Sequence, residues 1–211
     1  MLLQKYLTTR QYTESLCTPL EIEDYVPQAI EYTSPPKWHL AHTTWFFERL
    51  ILKAYADNYC EFNADFDFLF NSYYQTLGER AIRSQRGLFT RPTVKQVYLY
   101  RQYVDEQMRL LLSRPLSDEL YDLVTLGINH EQQHQELLIT DLKYMLALNP
   151  LYPEYSPEFT LVTDTNQRDG WTRIKEGMYD IGHQQQSFCY DNELGLHKVW
   201  LSKFQIANAL V

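Results

Sequence analysis

The stretch His130-Glu131-Gln132-Gln133-His134-Gln135-Glu136 places two histidines four positions apart, in the middle of the longest helical pattern in the chain. On a helix that spacing sets the two rings about 40° apart on the wheel and one turn displaced, so both can face one point. Imidazole is the commonest protein ligand for zinc and also suits iron, copper and nickel. The pair therefore offers two corners of a metal site and needs a third donor from another segment. The best source is Trp38-His39-Leu40-Ala41-His42-Thr43-Thr44-Trp45, on a second helical pattern. Leu123, Leu126 and Leu137 share the wheel face of His130 and His134, and imidazoles set among leucines need partners because unpaired buried polar groups are costly. A shared metal ion satisfies both rings at once; hydrogen bonds to neighbouring core groups are the alternative.

The letters from His130 to His134 also match H-E-x-x-H, the zinc-peptidase signature in which the glutamate is the general base. The longer peptidase pattern fails, because Leu137 stands where it needs glycine and Thr140 where it needs a third histidine. A downstream glutamate ligand is missing as well, since Glu154 and Glu158 lie in a proline-rich stretch. Arg80, Arg83, Arg86 and Arg91 fall close together. Such a cluster is either a solvated surface or a clamp for carboxylates, which guanidinium forks match in a bidentate way.

The elements that must position these groups are mostly helices. Leu3, Tyr6, Leu7 and Leu16 give a modest helical pattern over residues 2–16, and Pro19 to Pro27 break it into a loop. Ser34-Pro35-Pro36 predicts a helix start, with Ser34 as cap, and the helix runs to about Tyr55. Trp38, His42, Trp45 and Phe46 line one side of it, and His42 by itself would be an ordinary core histidine. From Asp57 to Gly78 an aromatic and acidic stretch predicts an irregular connection with a short helix near Leu69 to Leu77. Thr93 with Gln96 forms a capping-box pattern ahead of a helix ending before Pro115. Ser117, followed by Asp118 and Glu119, caps a last helix reaching Leu148 and stopping at Asn149-Pro150. It is apolar on most sides and therefore expected to be central. Four amphipathic helices with the longest last predict an all-α bundle whose core site is lined from facing helices.

After Pro150 the texture changes. Residues 151–157 read as a linker. Phe159 to Thr163, Trp171 to Ile174 and Lys198 to Ala207 alternate like strands, with Gly170, Gly177 and Gly182 as turns. The expected division is 1–150 and 151–211. Ending on Ile206-Ala207-Asn208-Ala209-Leu210-Val211, an apolar run, the chain reads as one cut inside its second domain. A net charge of −8 without a dominant basic patch argues against a nucleic-acid partner. Three cysteines with no C-x-x-C pair and no secretory leader predict a reducing, cytoplasmic setting, and no apolar run is long enough to span a membrane.

Several separated motifs carry a resemblance. Pro36-Lys37-Trp38-His39-Leu40-Ala41-His42-Thr43-Thr44-Trp45-Phe46-Phe47-Glu48, then Asn71-Ser72-Tyr73-Tyr74, then Arg86-Gly87-Leu88-Phe89-Thr90-Arg91-Pro92-Thr93, then His130-x3-His134-x-Glu136 together resemble the ergothioneine-biosynthesis sulfoxide synthases (EgtB-like). The resemblance implies a mainly α chain: a DinB-like four-helix bundle followed by the opening of a formylglycine-generating-enzyme-like domain, the latter echoed in Gly177 to Gly182 and Tyr190 to Glu193. It implies that His42, His130 and His134 hold a non-haem Fe(II), and that Arg83 and Arg86, with Arg91 as competitor, bind a carboxylate of the sulfur donor. Glu136 matches the motif's last position. On the wheel it lies ~160° from His134 and ~120° from His130, so it is expected beside the metal ligands and not among them. His39 is likewise expected outside the metal shell.

The implied reaction joins a thiol (cysteine or γ-glutamylcysteine) to hercynine with O2 and leaves the sulfur as a sulfoxide. A catalytic tyrosine and much of the acceptor pocket belong to the family's second domain beyond residue 211, so iron binding with little turnover is the expectation for these residues alone. Two other functions remain open: a DinB-like thiol transferase using Zn or Ni, and a metal-free helical module that binds a partner.

Overall fold

The computed structural model describes residues 1–72, 80–157, 170–185 and 187–209. The chain is mainly helical with a small β part, and its contacts divide it into two units, Met1–Pro157 and Glu158–Val211. The division falls later than the expected 150/151 because the linker is tied to the first unit: Tyr155 donates its hydroxyl to the Leu16 carbonyl at 2.6 Å.

Local chemistry sets the helix ends. The first helix, α1, is Leu2–Cys17. α2, Pro36–Phe46, begins with Pro36 at its first position, where the missing N–H costs nothing, and its cap is Pro35. Ser34 is therefore not the cap. Its N–H donates to Asp141 Oδ2 at 2.8 Å and its hydroxyl accepts from Arg86 at 2.8 Å, so tertiary partners have taken both groups. One wide turn, Phe47–Leu52, has π-helical geometry and leads into α3, Lys53–Tyr55. The helix expected to Tyr55 thus exists but changes pitch just after the histidines.

α4 is Asp65–Phe70, several residues ahead of the short helix expected at Leu69 to Leu77; Tyr73, Tyr74 and the rest of that stretch lie outside the described residues. The arginine cluster contains a short 3-10 segment, Arg83–Leu88. α5, Val94–Leu112, opens on the capping box read from the sequence, with Gln96 N–H donating to Thr93 Oγ1 at 3.2 Å and Thr93 N–H to Gln96 Oε1 at 2.8 Å. α6, Asp118–Leu148, is capped by Ser117, whose hydroxyl accepts from Leu120 N–H at 3.2 Å.

α6 packs on both α1 and α2, yet it is not the most enclosed helix. Every residue of α2 is buried, whereas much of the outer face of α6 is exposed. The sequence expectation inverted these roles because α2 carries Lys37, His39, His42, Thr43 and Thr44, which look like a wet face. Each of them finds a polar partner inside: Thr44, for instance, accepts from Arg10 at 2.8 Å. The many tyrosines follow the same rule, burying rings and bonding hydroxyls. Tyr59 and Tyr100 both donate to the buried Glu48 carboxylate at 2.5 Å.

Gly127 lets α6 approach α2. A Cβ there would stand 2.6 Å from a Phe47 ring carbon and 2.8 Å from one of Phe46. Those rings cannot swing away, since Phe47 is packed edge-on to Tyr6 and Phe46 stacks on His130 at 4.7 Å. Alanine gains roughly 1 kcal/mol of helix propensity but overpacking costs about 1–3 kcal/mol. Gly127→Ala is therefore expected to lower the urea midpoint; an unchanged or raised midpoint would show that the rings yield.

In the second unit β1, Trp171–Ile174, pairs antiparallel with β4, Phe204–Ala207, and β2, Gly177–Ile181, with β3, His197–Leu201. The expected strand over Lys198 to Ala207 is thus two strands, and Gly177 sits in a strand instead of a turn. Gly182 is a turn glycine in fact: its φ is +119° and a Cβ would meet Leu196 backbone at 2.9 Å. The expected strand Phe159 to Thr163, and Leu210 and Val211, lie outside the described residues. Among the described residues no helix is long and apolar enough to cross a membrane.

Candidate metal centre

α2 and α6 cross so that His42 meets His130 and His134. One nitrogen from each ring lies within 4.8 Å of the others, and the ring centroids are 5.0 Å (42–130), 4.6 Å (42–134) and 4.7 Å (130–134) apart. Metal–nitrogen bonds of ~2.1 Å put ligand nitrogens roughly 3 to 3.5 Å apart, so the rings stand close to, and slightly outside, a ligating arrangement. His42 is held between two indoles, Trp38 at 4.4 Å and Trp45 at 5.6 Å, both nearly parallel to it. His130 stacks on Phe46. The wheel argument for the pair on α6 therefore holds, and the third imidazole comes from the segment expected to supply it.

Hydrogen bonds decide which nitrogens face inward. His42 Nδ1 is 2.6 Å from the Phe70 carbonyl, which can only accept, so that nitrogen carries the proton and Nε2 keeps its lone pair. His134 Nδ1 is 2.9 Å from His39 Nδ1, and His39 Nε2 is 3.0 Å from Asp141 Oδ2. His130 makes no hydrogen bond among the described residues, and its Nδ1 is buried without a partner. A buried imidazole nitrogen left so is expensive unless something not yet named meets the ring. Three inward-facing imidazoles fit a metal ion well.

Charge state agrees with that role. Burial pushes His42 and His134 well below the ordinary imidazole value, helped by neighbouring rings and by Arg86, and burial takes His130 down to about 4. All three are neutral near pH 7, the form that ligates.

The histidines floor a cavity of about 410 Å³ between α2, the start of the arginine segment and α6. Arg86 is a wall of it, buried, with Nη1 donating to Ser34 Oγ at 2.8 Å, Nη2 to Ser72 Oγ at 3.0 Å, and its guanidinium 3.4 Å above the Trp38 ring. Arg83 also lines the cavity but is exposed and donates to the Tyr32 carbonyl. Arg91 does not line it; it is exposed, bonds the Thr90 carbonyl at 3.0 Å, and adds its charge to the burial that lowers the Lys37 ammonium. Of the three arginines, two thus face the site. Glu136 is exposed on the cavity rim. Leu137 is exposed there too, so of the three leucines expected beside the histidines only Leu123 and Leu126 pack against the core.

Glu131 points elsewhere. It is fully buried between α1 and α5, where it accepts from Thr13 at 2.7 Å, Arg10 at 3.0 Å and Arg101 at 3.2 Å. The geometry leaves no room for the peptidase role suggested by the letters H-E-x-x-H. Sequence reasoning missed His39 as the partner of His134 and Asp141 as the partner of His39. A signal was available: Asp141 follows His134 by seven positions, which returns it to the same helix face.

Searched against models of known protein families, the sequence matches none, and no curated protein matches it.

Proposed function

We propose that this chain holds a non-haem Fe(II) and serves a sulfoxide synthase of the ergothioneine-biosynthesis kind, which joins cysteine or γ-glutamylcysteine to hercynine with O2. The observation that carries the proposal is the convergence of three neutral imidazoles under a cavity walled by Arg86 and Arg83. In this proposal α1, α2, α5 and α6 form a DinB-like four-helix bundle, and the strands β1 to β4 belong to a formylglycine-generating-enzyme-like domain.

His42, His130 and His134 would hold the ion and leave positions open to substrates. Bound there, iron would supply O2 activation; overall the thiol S–H and one hercynine C–H bond break, a C–S bond forms, one oxygen ends on sulfur and the other leaves as water with the two hydrogens. The chain's own residues orient the donor. Arg86, fixed by two serine hydroxyls and the indole beneath it, presents a planar fork to a carboxylate, and Arg83 stands at the mouth.

The test compares cysteine with cysteamine, which lacks the carboxylate, on protein loaded anaerobically with Fe(II). Cysteine should bind more tightly, and Arg86→Lys should weaken it about 10- to 100-fold while leaving cysteamine nearly unchanged, as expected for a charge-assisted bond of ~1.5–3 kcal/mol. Equal loss for both thiols would place Arg86 in packing only. Sulfoxide product on addition of hercynine and O2, read by mass spectrometry, tests the reaction itself. The same donor set suits Zn or Ni; thiol transfer without O2 would favour the DinB-like transferase. A melting temperature indifferent to any metal would favour the metal-free module.

A further inference from the structure

We infer that His39 and Asp141 form an orienting arm that fixes His134 in the tautomer presenting Nε2 to the metal. The inference rests on the metal site proposed above and assigns to these two residues a positioning role, not a ligating one.

The protons can be placed step by step. The Asp141 carboxylate only accepts, so the bond at 3.0 Å requires a proton on His39 Nε2. A neutral His39 then has a lone pair on Nδ1, and the 2.9 Å contact requires His134 Nδ1 to donate into it. His134 Nε2 is left with the lone pair. No other arrangement of neutral rings satisfies both bonds. Asp141 is itself fixed by the Ser34 N–H at 2.8 Å, which ties the arm to the start of α2. His39 cannot be a fourth ligand, since one of its nitrogens is committed to His134 and the other to Asp141.

The arm does for His134 what the Phe70 carbonyl does for His42. Metal-bound histidines generally donate their outer N–H to such a group, and its loss typically weakens metal affinity about 10- to 100-fold. Here an imidazole backed by a carboxylate takes that place, and it spans the two helices whose crossing creates the site. Both members of the arm come from elements that also carry a ligand: His39, which meets His134, is on α2 with His42, and Asp141, which backs His39, is on α6 with His130 and His134.

The experiment measures anaerobic Fe(II) and Co(II) dissociation constants, with the Co(II) visible spectrum, for wild type, His39→Leu, His39→Asn and Asp141→Ala, with His130→Ala as blank. His39→Leu and Asp141→Ala should bind about 10- to 100-fold more weakly with an altered Co(II) spectrum. His39→Asn should fall between them and wild type, because its amide oxygen can still accept from His134 Nδ1. Asp141 is half-buried, so Asp141→Ala keeps the test alive if His39→Leu does not fold. Wild-type affinity and spectrum in Asp141→Ala and the His39 variants would overturn the arm alone. No metal uptake by the wild type would overturn the metal site itself, and the arm with it.

Discussion

Replacing His130 by alanine is expected to abolish iron uptake while leaving the helices intact. Of the three imidazoles His130 has the least to hold it in place: it is half-buried, makes no hydrogen bond among the described residues, and is steadied by stacking on Phe46. Removing it strips a donor without orphaning a buried partner, so the apoprotein loses only packing. Two imidazoles remain, too few for a stable centre of this type. Linkage makes the contrast measurable without turnover. At 100 times its dissociation constant, iron should stabilise the wild type by about 2.7 kcal/mol, and the variant not at all. An equal metal-induced rise in melting temperature for both proteins would reject the three-histidine site.

The largest loss of stability is expected at a residue that never touches the metal. Glu131 lies between Arg10 and Arg101, and all three side chains are buried. Breaking a buried ion pair from one side leaves charge uncompensated and costs about 3–5 kcal/mol, against a typical total of ~5–15 kcal/mol for a domain. Glu131→Ala takes the fully buried carboxylate from two guanidiniums at once, leaving Arg10 with only the partly exposed Asp105 and Arg101 with only the more exposed Glu14. Its urea midpoint should therefore fall severely, and a change no larger than that of a surface substitution would sink the idea. Acid provides a second reading of the same network. Burial alone would raise the Glu131 carboxyl, but Arg10 and Arg101, with bonds from Thr13 and Arg10, hold it at about 2, below its ordinary 4.5. A depressed carboxyl contributes stability above the unfolded value and loses it as pH falls toward the folded one. That contribution, on the order of 3 kcal/mol, should drain from wild type between about pH 4.5 and 2. The alanine variant should lack that part of the acid transition.

The two cases divide what can be read from a sequence. Thr93 with Gln96 and Ser117 with Leu120 are bonds between residues three apart, so the letters alone contain them. The shared direction of His130 and His134 is equally local, a consequence of helical pitch. Which tertiary partner a polar side chain finds is not local. Glu131, next to a metal-facing histidine, turns instead to Arg10, 121 positions away. Ser34 has the letters of a cap and is drawn off by Asp141 and Arg86. The full burial of α2 is hidden for the same reason, since its polar residues look wet until their partners are known.

The amino-acid sequence by itself determined the long helices, the caps at Thr93 and Ser117 and the common face of two imidazoles, because those depend on spacings of one or two turns. The crossing of α2 over α6, permitted by the missing side chain at Gly127, decided everything else about the site: that His42 joins the pair, that His39 and Asp141 back His134, and that Arg86 and not Arg91 walls the cavity. Those outcomes depend on how closely two helices approach and at what angle, and no short-range pattern encodes that.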